Sequence, residues 1–284
     1  MKVKGIIACF IFLLLSISGC KKIEEEVISK RTVEKVDYSE CFDGIEGCAV
    51  FYHQSTNEYK MYQEEACDKQ SAPCSTFKII STLVGLETEV IASIDTIMGY
   101  NGTMYSVPGW NQEVNLKEAF QQSCIWYYRK VIDLIGEEEM QTWVDHLGYG
   151  NCDISEWEGS QSNNLPELNG FWLESSLKIS PVEQVSILAD IFEGKTKFTQ
   201  ENIDLVSQLM LTKQEGDMKV YGKTGSGKNS NTGKTDNCWF VGYLEKNGEK
   251  YYFAVRLDDE SRDDLSGQKA KEIALKIIDK FYTN

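Results

Sequence analysis

The sequence predicts a mixed α/β protein of the α+β type: a central antiparallel sheet made from the two ends of the chain, flanked by N- and C-terminal helices, with a helical region inserted between. Three observations carry this. Residues 47–62, "GCAVFYHQSTNEYKMY", hold two β-type runs around a polar turn, the mark of a hairpin. Residues 238–259, "CWFVGYLEKNGEKYYFAVRLDD", repeat the pattern more strongly around Asn247-Gly248. Between them the apolar residues recur at helical rather than strand spacing.

The N-terminus reads differently from the rest of the chain. Lys2 and Lys4 precede an apolar run from Ile6 to Ile17 and small residues ending at Gly19-Cys20, a run too short to span a bilayer comfortably and laid out as a secretory signal. "LSISGC" resembles a bacterial lipobox, so residues 1–19 are expected to be a lipoprotein signal peptide, Cys20 the lipidated residue and 20–37 a charged tether, leaving 38–284 as the folded domain. The expected location is the outer face of the bacterial cell membrane, held there by the lipid anchor.

Composition bounds the partners. With 284 residues, 42% hydrophobic and 26% charged, the chain can bury a large core. A formal net charge of −15 excludes a polyanion partner, because nucleic-acid binding needs clustered Lys and Arg, so no nucleic acid is expected. Nine cysteines without a tight C-x-x-C pair, and two histidines, make a metal site improbable. Leaving out Cys9 and Cys20, seven remain, an odd number, and Cys67 with Cys74 or Cys41 with Cys48 could close small loops.

In chain order, the first hairpin is succeeded by "SAPCSTFKIISTLVGLE", residues 71–87, where an apolar helical pattern begins with a serine three positions ahead of a lysine. Further on, Ser180, Pro181 and Glu183 form a capping box with proline at the first helical position, and Gly194 stops that helix. After the second hairpin, Ile273, Ala274, Ile277, Ile278 and Phe281 lie on one helical face within 267–282, which should pack back onto the sheet. A site would lie between sheet and helices.

Ser75 and Lys78 share a helix face, so the amine reaches the hydroxyl. Ala72, Pro73, Phe77, Ile79, Ile80, Leu83 and Val84 surround Lys78 with apolar groups, which disfavours the ammonium and frees the amine to act as a base. The stretch "YGKTGSGKNSNTGKTDN" suggests a phosphate loop, but Asn229 stands where a Ser or Thr should hold magnesium, and a hairpin rather than a helix comes next. Its better use is Lys223-Thr224-Gly225 on a strand beside the cleft: lysine and hydroxyl hold a carboxylate, and glycine lets the backbone approach. S-x-x-K with a later K-T-G is the signature of penicillin-binding proteins and serine β-lactamases.

"PCSTFKI", "QQSCIWYY", "LGYGNCDIS", "FWLESSLKISPVEQV" and "YGKTGSGK", in this order, resemble class D β-lactamases and equally the penicillin-sensor domains of transmembrane β-lactam receptors, from about Tyr38 to the C-terminus. The resemblance implies a serine β-lactamase or penicillin-binding-protein-like fold and a β-lactam substrate. It implies that Ser75 is acylated, and that Lys78 takes up carbon dioxide (or bicarbonate) to become a carbamate acting as general base for acylation and for the releasing water. No other cofactor is implied, and no metal. Trp172 would bond the carbamate, Ser123 would pass a proton to the lactam nitrogen with Lys223 beside it, and Thr224 would contact the substrate carboxylate. Backbone N–H groups of Ser75 and Ser226 would form the oxyanion hole, Gly225, Trp110 and Ile125 would surround the substrate, and Tyr149, with Gly150 and Asn151 of a YGN motif, would shape the cleft wall, by direct contact or as a structural support.

Departures from the family pattern are Ile125, one methylene larger than the usual valine beside the carbamate pocket, and Ser226, where an aromatic is common. The family's late arginine has no clean match, and Lys269 or Arg262 are the candidates. Three readings are open: a β-lactamase, a sensor or sink that stays acylated, and a cell-wall transpeptidase or carboxypeptidase. A receptor would need a membrane span and an output module, and no hydrophobic span comes after residue 20, which favours the enzyme. "FWLESSLK" and "YGN" fit the class D pattern better than that of a cell-wall enzyme.

Overall fold

The computed structural model describes residues 31–229 and 232–282. The expected signal peptide and Cys20 lie outside them. The two predicted hairpins form as β2 (Gly47–His53) with β3 (Glu58–Tyr62), and β6 (Thr235–Lys246) with β7 (Glu249–Leu257). Asn247 and Gly248, at φ 52° and 80°, close the second with the left-handed pair that matches strand twist. β2 then pairs antiparallel with β7, from Gly47↔Leu257 to Tyr52↔Tyr252, so the two ends of the chain meet in the centre of the sheet.

The full order is β1-β3-β2-β7-β6-β5-β4. Two strands were not foreseen. β4 (Leu211–Glu215) turns back through Gly216 into β5 (Met218–Lys228), the strand that carries Lys223-Thr224-Gly225. β1 (Thr32–Lys35) adds to the other edge, parallel to β3. The sheet is therefore antiparallel except at that edge. Residues 32–35 fall within the stretch assigned to the tether, whose boundary moves back accordingly: alternate residues there hydrogen-bond to the free edge of β3 instead of trailing in water.

Strand alternation sends side chains to two cores. On one face Phe51, Phe240, Phe253 and Val255 meet Ile273, Ala274 and Ile277 of the terminal helix α9 (Gly267–Phe281), together with Phe42 of the short α1 (Ser39–Phe42). On the other, Val50, Trp239, Val241 and Tyr252 meet the inserted helices. These are α2 (Glu64–Cys67), α3 (Lys78–Glu87), α4 (Leu116–Gln121), α5 (Ile125–Ile135), α6 (Glu137–Leu147), α7 (Pro181–Phe192) and α8 (Gln200–Met210). The capping box of α7 forms as expected: Glu183 N–H donates to Ser180 Oγ at 3.2 Å, and Ser180 N–H to Glu183 Oε2 at 2.7 Å. All seven described cysteines are thiols.

Candidate active site

Ser75 sits in a 3₁₀ turn, Cys74–Phe77, that runs straight into α3, with Lys78 as the first helical residue. The three-residue spacing brings the groups together as predicted: Lys78 Nζ donates to Ser75 Oγ at 2.8 Å. Lys78 is only 1% exposed, and Nζ lies 5.2 Å from the centre of the Tyr128 ring. Burial disfavours its cation and brings its pKa down to about 7. At neutral pH much of the amine can therefore accept a proton.

Two further segments complete the cluster. Ser123 lies in the middle of the α4–α5 connection in the left-handed region, φ 54°, and its hydroxyl accepts from Lys223 Nζ. Lys223 is also buried, and its pKa falls well below the ordinary lysine value, first through burial and then through the nearby charges of Lys78 and Lys271. Gly225 is where β5 crosses the serine turn: a Cβ there would lie 3.1 Å from Pro73 O and 3.3 Å from the Thr76 amide nitrogen. That contact brings the Ser226 backbone alongside Ser75.

Trp172 supports the turn from behind. Its carbonyl accepts from Cys74 N–H at 2.9 Å, and its buried ring stacks on Phe77 at 6.5 Å. Position 170 must be glycine for this ring to fit, since a Cβ would fall 2.1 Å from it. Ile125 opens α5 and is half-buried on the same side of the sheet.

Two residues expected to surround the substrate or shape its cleft, Tyr149 and Trp110, are buried. Tyr149 is 1% exposed and packs edge-on to Phe77 at 5.4 Å, so it props the serine turn from the core and does not line the cleft. Its neighbours do the same work: Gly150, at φ 58°, lies so close to Lys178 that a Cβ would meet its carbonyl at 1.9 Å, and Asn151 Nδ2 donates to Ser176 O at 2.8 Å. Trp110 is 8% exposed, with Nε1 donating to Gln122 O at 3.2 Å; it positions the turn before Ser123 from below. Ser226 Oγ accepts from Gly267 N–H at 2.8 Å, so its hydroxyl is engaged with α9. Thr224 lies close to the start of α9, where a Cβ on Gly267 would be 2.9 Å from Thr224 Cβ, and it shares a cavity with Lys223.

Both sequence candidates for the late cation have carboxylate partners. Arg262 pairs with Asp264 at 2.7 Å and Lys269 with Glu272 at 3.8 Å. Lys271 instead lines a cavity of about 250 Å³ with Lys223, Thr224, Gln268, Phe120 and Leu209. Its signal was available in the helical period: Gln268 and Lys271 are three apart on α9, on the face turned to K-T-G. Gln184 was also missed; its Nε2 donates to Thr76 Oγ1 at 3.0 Å beneath the serine turn.

This architecture, a sheet joined from both chain ends with serine and lysine at the mouth of a buried helix and a second lysine on the facing strand, is that of the class D β-lactamase and penicillin-binding-protein fold. The chain belongs to the penicillin binding protein transpeptidase domain family, whose model matches residues 47–279. Among its relatives, β-lactamase OXA-1 of Escherichia coli is 34% identical over 84% of this chain and 86% of its own length. Regulatory protein BlaR1 of Bacillus licheniformis is 33% identical over 90% of this chain, which spans 41% of that protein. The solved C-terminal domain of the B. licheniformis BlaR penicillin-receptor superposes with TM-score 0.78 at 32% identity, covering 90% of this chain and 98% of that domain. A class D β-lactamase from Bacillus subtilis does so with TM-score 0.75 at 29% identity, covering 87% and 95%.

Proposed function

We propose that this protein is acylated by β-lactams at Ser75 and hydrolyses the resulting ester, acting as a class D β-lactamase that confers resistance. The observation that carries the reading is the 2.8 Å contact between Ser75 Oγ and a lysine nitrogen walled off from water. Lys78 draws the proton from Ser75, whose oxygen attacks the lactam carbonyl carbon. The C–N bond breaks, and the departing nitrogen takes a proton from Ser123, which Lys223 adjoins. The proton held by Lys78 passes on to Ser123, leaving the amine neutral; water then attacks the ester, Lys78 accepts its proton, and that proton returns to Ser75 as the ester C–O bond breaks. An uncharged nitrogen is also the form that combines with carbon dioxide, and a carbamate would supply an anionic base there, held from this chain's side by Ser75 and Trp172.

Lys271, beside Thr224 and Lys223, is the cation placed to attract the substrate carboxylate. A signal peptide and acylation of Cys20 would hold the enzyme to the outer face of the membrane. Similarity to the BlaR penicillin-receptor domain supports a second reading, in which Ser75 is acylated and the ester persists. Mixing the purified protein with a chromogenic cephalosporin or benzylpenicillin in bicarbonate-containing buffer separates the two. Continuous turnover is the expected result; a single stoichiometric burst supports the receptor-like reading, and no acylation at all removes both.

A further inference from the structure

The turn that presents Ser75 starts from a backbone conformation that needs support. Cys74 has φ 50°, in the left-handed region where a residue with a side chain stays only when its surroundings hold it. Facing it is another such residue, Glu174, at φ 48°. Cys74 Sγ donates to Glu174 Oε1 at 3.1 Å, and Asn237 Nδ2 donates to the same oxygen at 2.7 Å and to Ala72 O at 2.9 Å. Cys74 and Asn237 are both buried. The facing strand is cut away to admit the carboxylate: a Cβ at Gly227 would lie 1.7 Å from Glu174 Oε1 and 2.8 Å from Cys74 Sγ.

Three segments distant in sequence thus converge on one carboxylate oxygen directly behind the nucleophile. The acyl-transfer steps described above use none of these groups. We propose that Glu174 is a positioning residue: gripped by the Cys74 thiol and the Asn237 amide, its carboxylate holds the left-handed Cys74 turn and so aims Ser75 Oγ at Lys78 Nζ. Without that oxygen, the Cys74 thiol keeps only its longer contact to Ala72 O at 3.6 Å and Asn237 no longer ties the turn to Glu174, so the turn relaxes toward negative φ. The serine hydroxyl then swings off the amine. This inference rests on the reading that Ser75 is the acylated group.

Stopped-flow labelling with a fluorescent penicillin separates non-covalent affinity from the acylation rate constant. Glu174→Ala is expected to slow acylation about tenfold or more while changing affinity by less than about twofold, since misaimed groups lose rate rather than binding. Glu174→Gln keeps an accepting oxygen and recovers most of the rate. In a Cys74→Gly background, where the left-handed backbone needs no support, the same Glu174→Ala change should lower the rate by less than about twofold. A Glu174→Ala protein that acylates at the wild-type rate overturns the inference, and so does an undiminished loss in the Cys74→Gly background. Should Glu174→Ala alone not fold, comparing Cys74→Gly with Cys74→Gly/Glu174→Ala decides, a tenfold gap between them counting against the proposal. Failure of the wild-type protein to label overturns the Ser75 reading instead.

Discussion

At Lys78 a nitrogen is withdrawn from water and set against a serine hydroxyl, and stability and chemistry pull in opposite directions there. Displacement of its pKa from 10.5 to about 7 corresponds to about 5 kcal/mol of destabilisation at neutral pH. The sign comes from proton uptake: between pH 7 and 10.5 the unfolded chain holds a proton that the folded one has released, so this contribution improves as pH rises and is worst below 7. Lys78→Met should therefore raise stability at pH 7 by a few kcal/mol, and the melting temperature by on the order of 5–10 °C, while abolishing penicillin labelling. The gain should shrink at pH 10; a variant no more stable at pH 7 than the parent would show that the amine is not held neutral. In the parent, the acylation rate constant should climb through pH 7 and then level off, because the uncharged amine is the competent form.

At the scale of elements, the α7 capping box is the clearest local determinant. Ser180→Ala removes the acceptor for Glu183 N–H and should destabilise by about 1 kcal/mol, a drop of about 2–4 °C in melting temperature, with labelling of Ser75 retained. A loss of labelling in protein that is still folded would mean that α7 reaches the site more directly than through Gln184. This helix, both hairpins and α9 were legible in the sequence because each carries a local signal: a cap, an Asn-Gly pair, an apolar stripe. So was the meeting of Ser75 with Lys78, fixed by helical spacing. What stayed hidden depends on distant contacts. Thr32–Lys35 and Leu211–Glu215 are short, polar edge strands that exist because a neighbour offers hydrogen bonds. Tyr149 and Trp110 look like cleft residues in a motif, yet their depth is decided by Phe77 and by the Gln122 carbonyl. Arg262 and Lys269 were the candidates for the late cation, and their engagement with Asp264 and Glu272 only the folded chain reveals.

For the molecule as a whole, the site has no single owner along the chain. Ser75, Lys78 and Ser123 come from the inserted helices, Lys223 comes from β5, and β5 is positioned by β6, β7 and, through β7, by β2. Cutting the chain within the turn at Gly216-Asp217 leaves Ser75 and Lys78 on one piece and Lys223 on the other. Neither piece alone should take up fluorescent penicillin, and each should lack a cooperative melting transition, because each exposes one side of a sheet interface. A labelled fragment of residues 31–216 would show that the serine turn is organised without its facing strand.

The pairing of β2 with β7 also sets an order of events. A strand near the beginning of the domain waits for its partner until almost the whole polypeptide is available, and contacts of such long sequence separation form late. Until then Lys78 has no dry enclosure and remains an ordinary, protonated surface amine. On the proposed function, an incompletely folded chain would thus be inert toward a β-lactam, and Ser75 would become reactive only once the fold is complete.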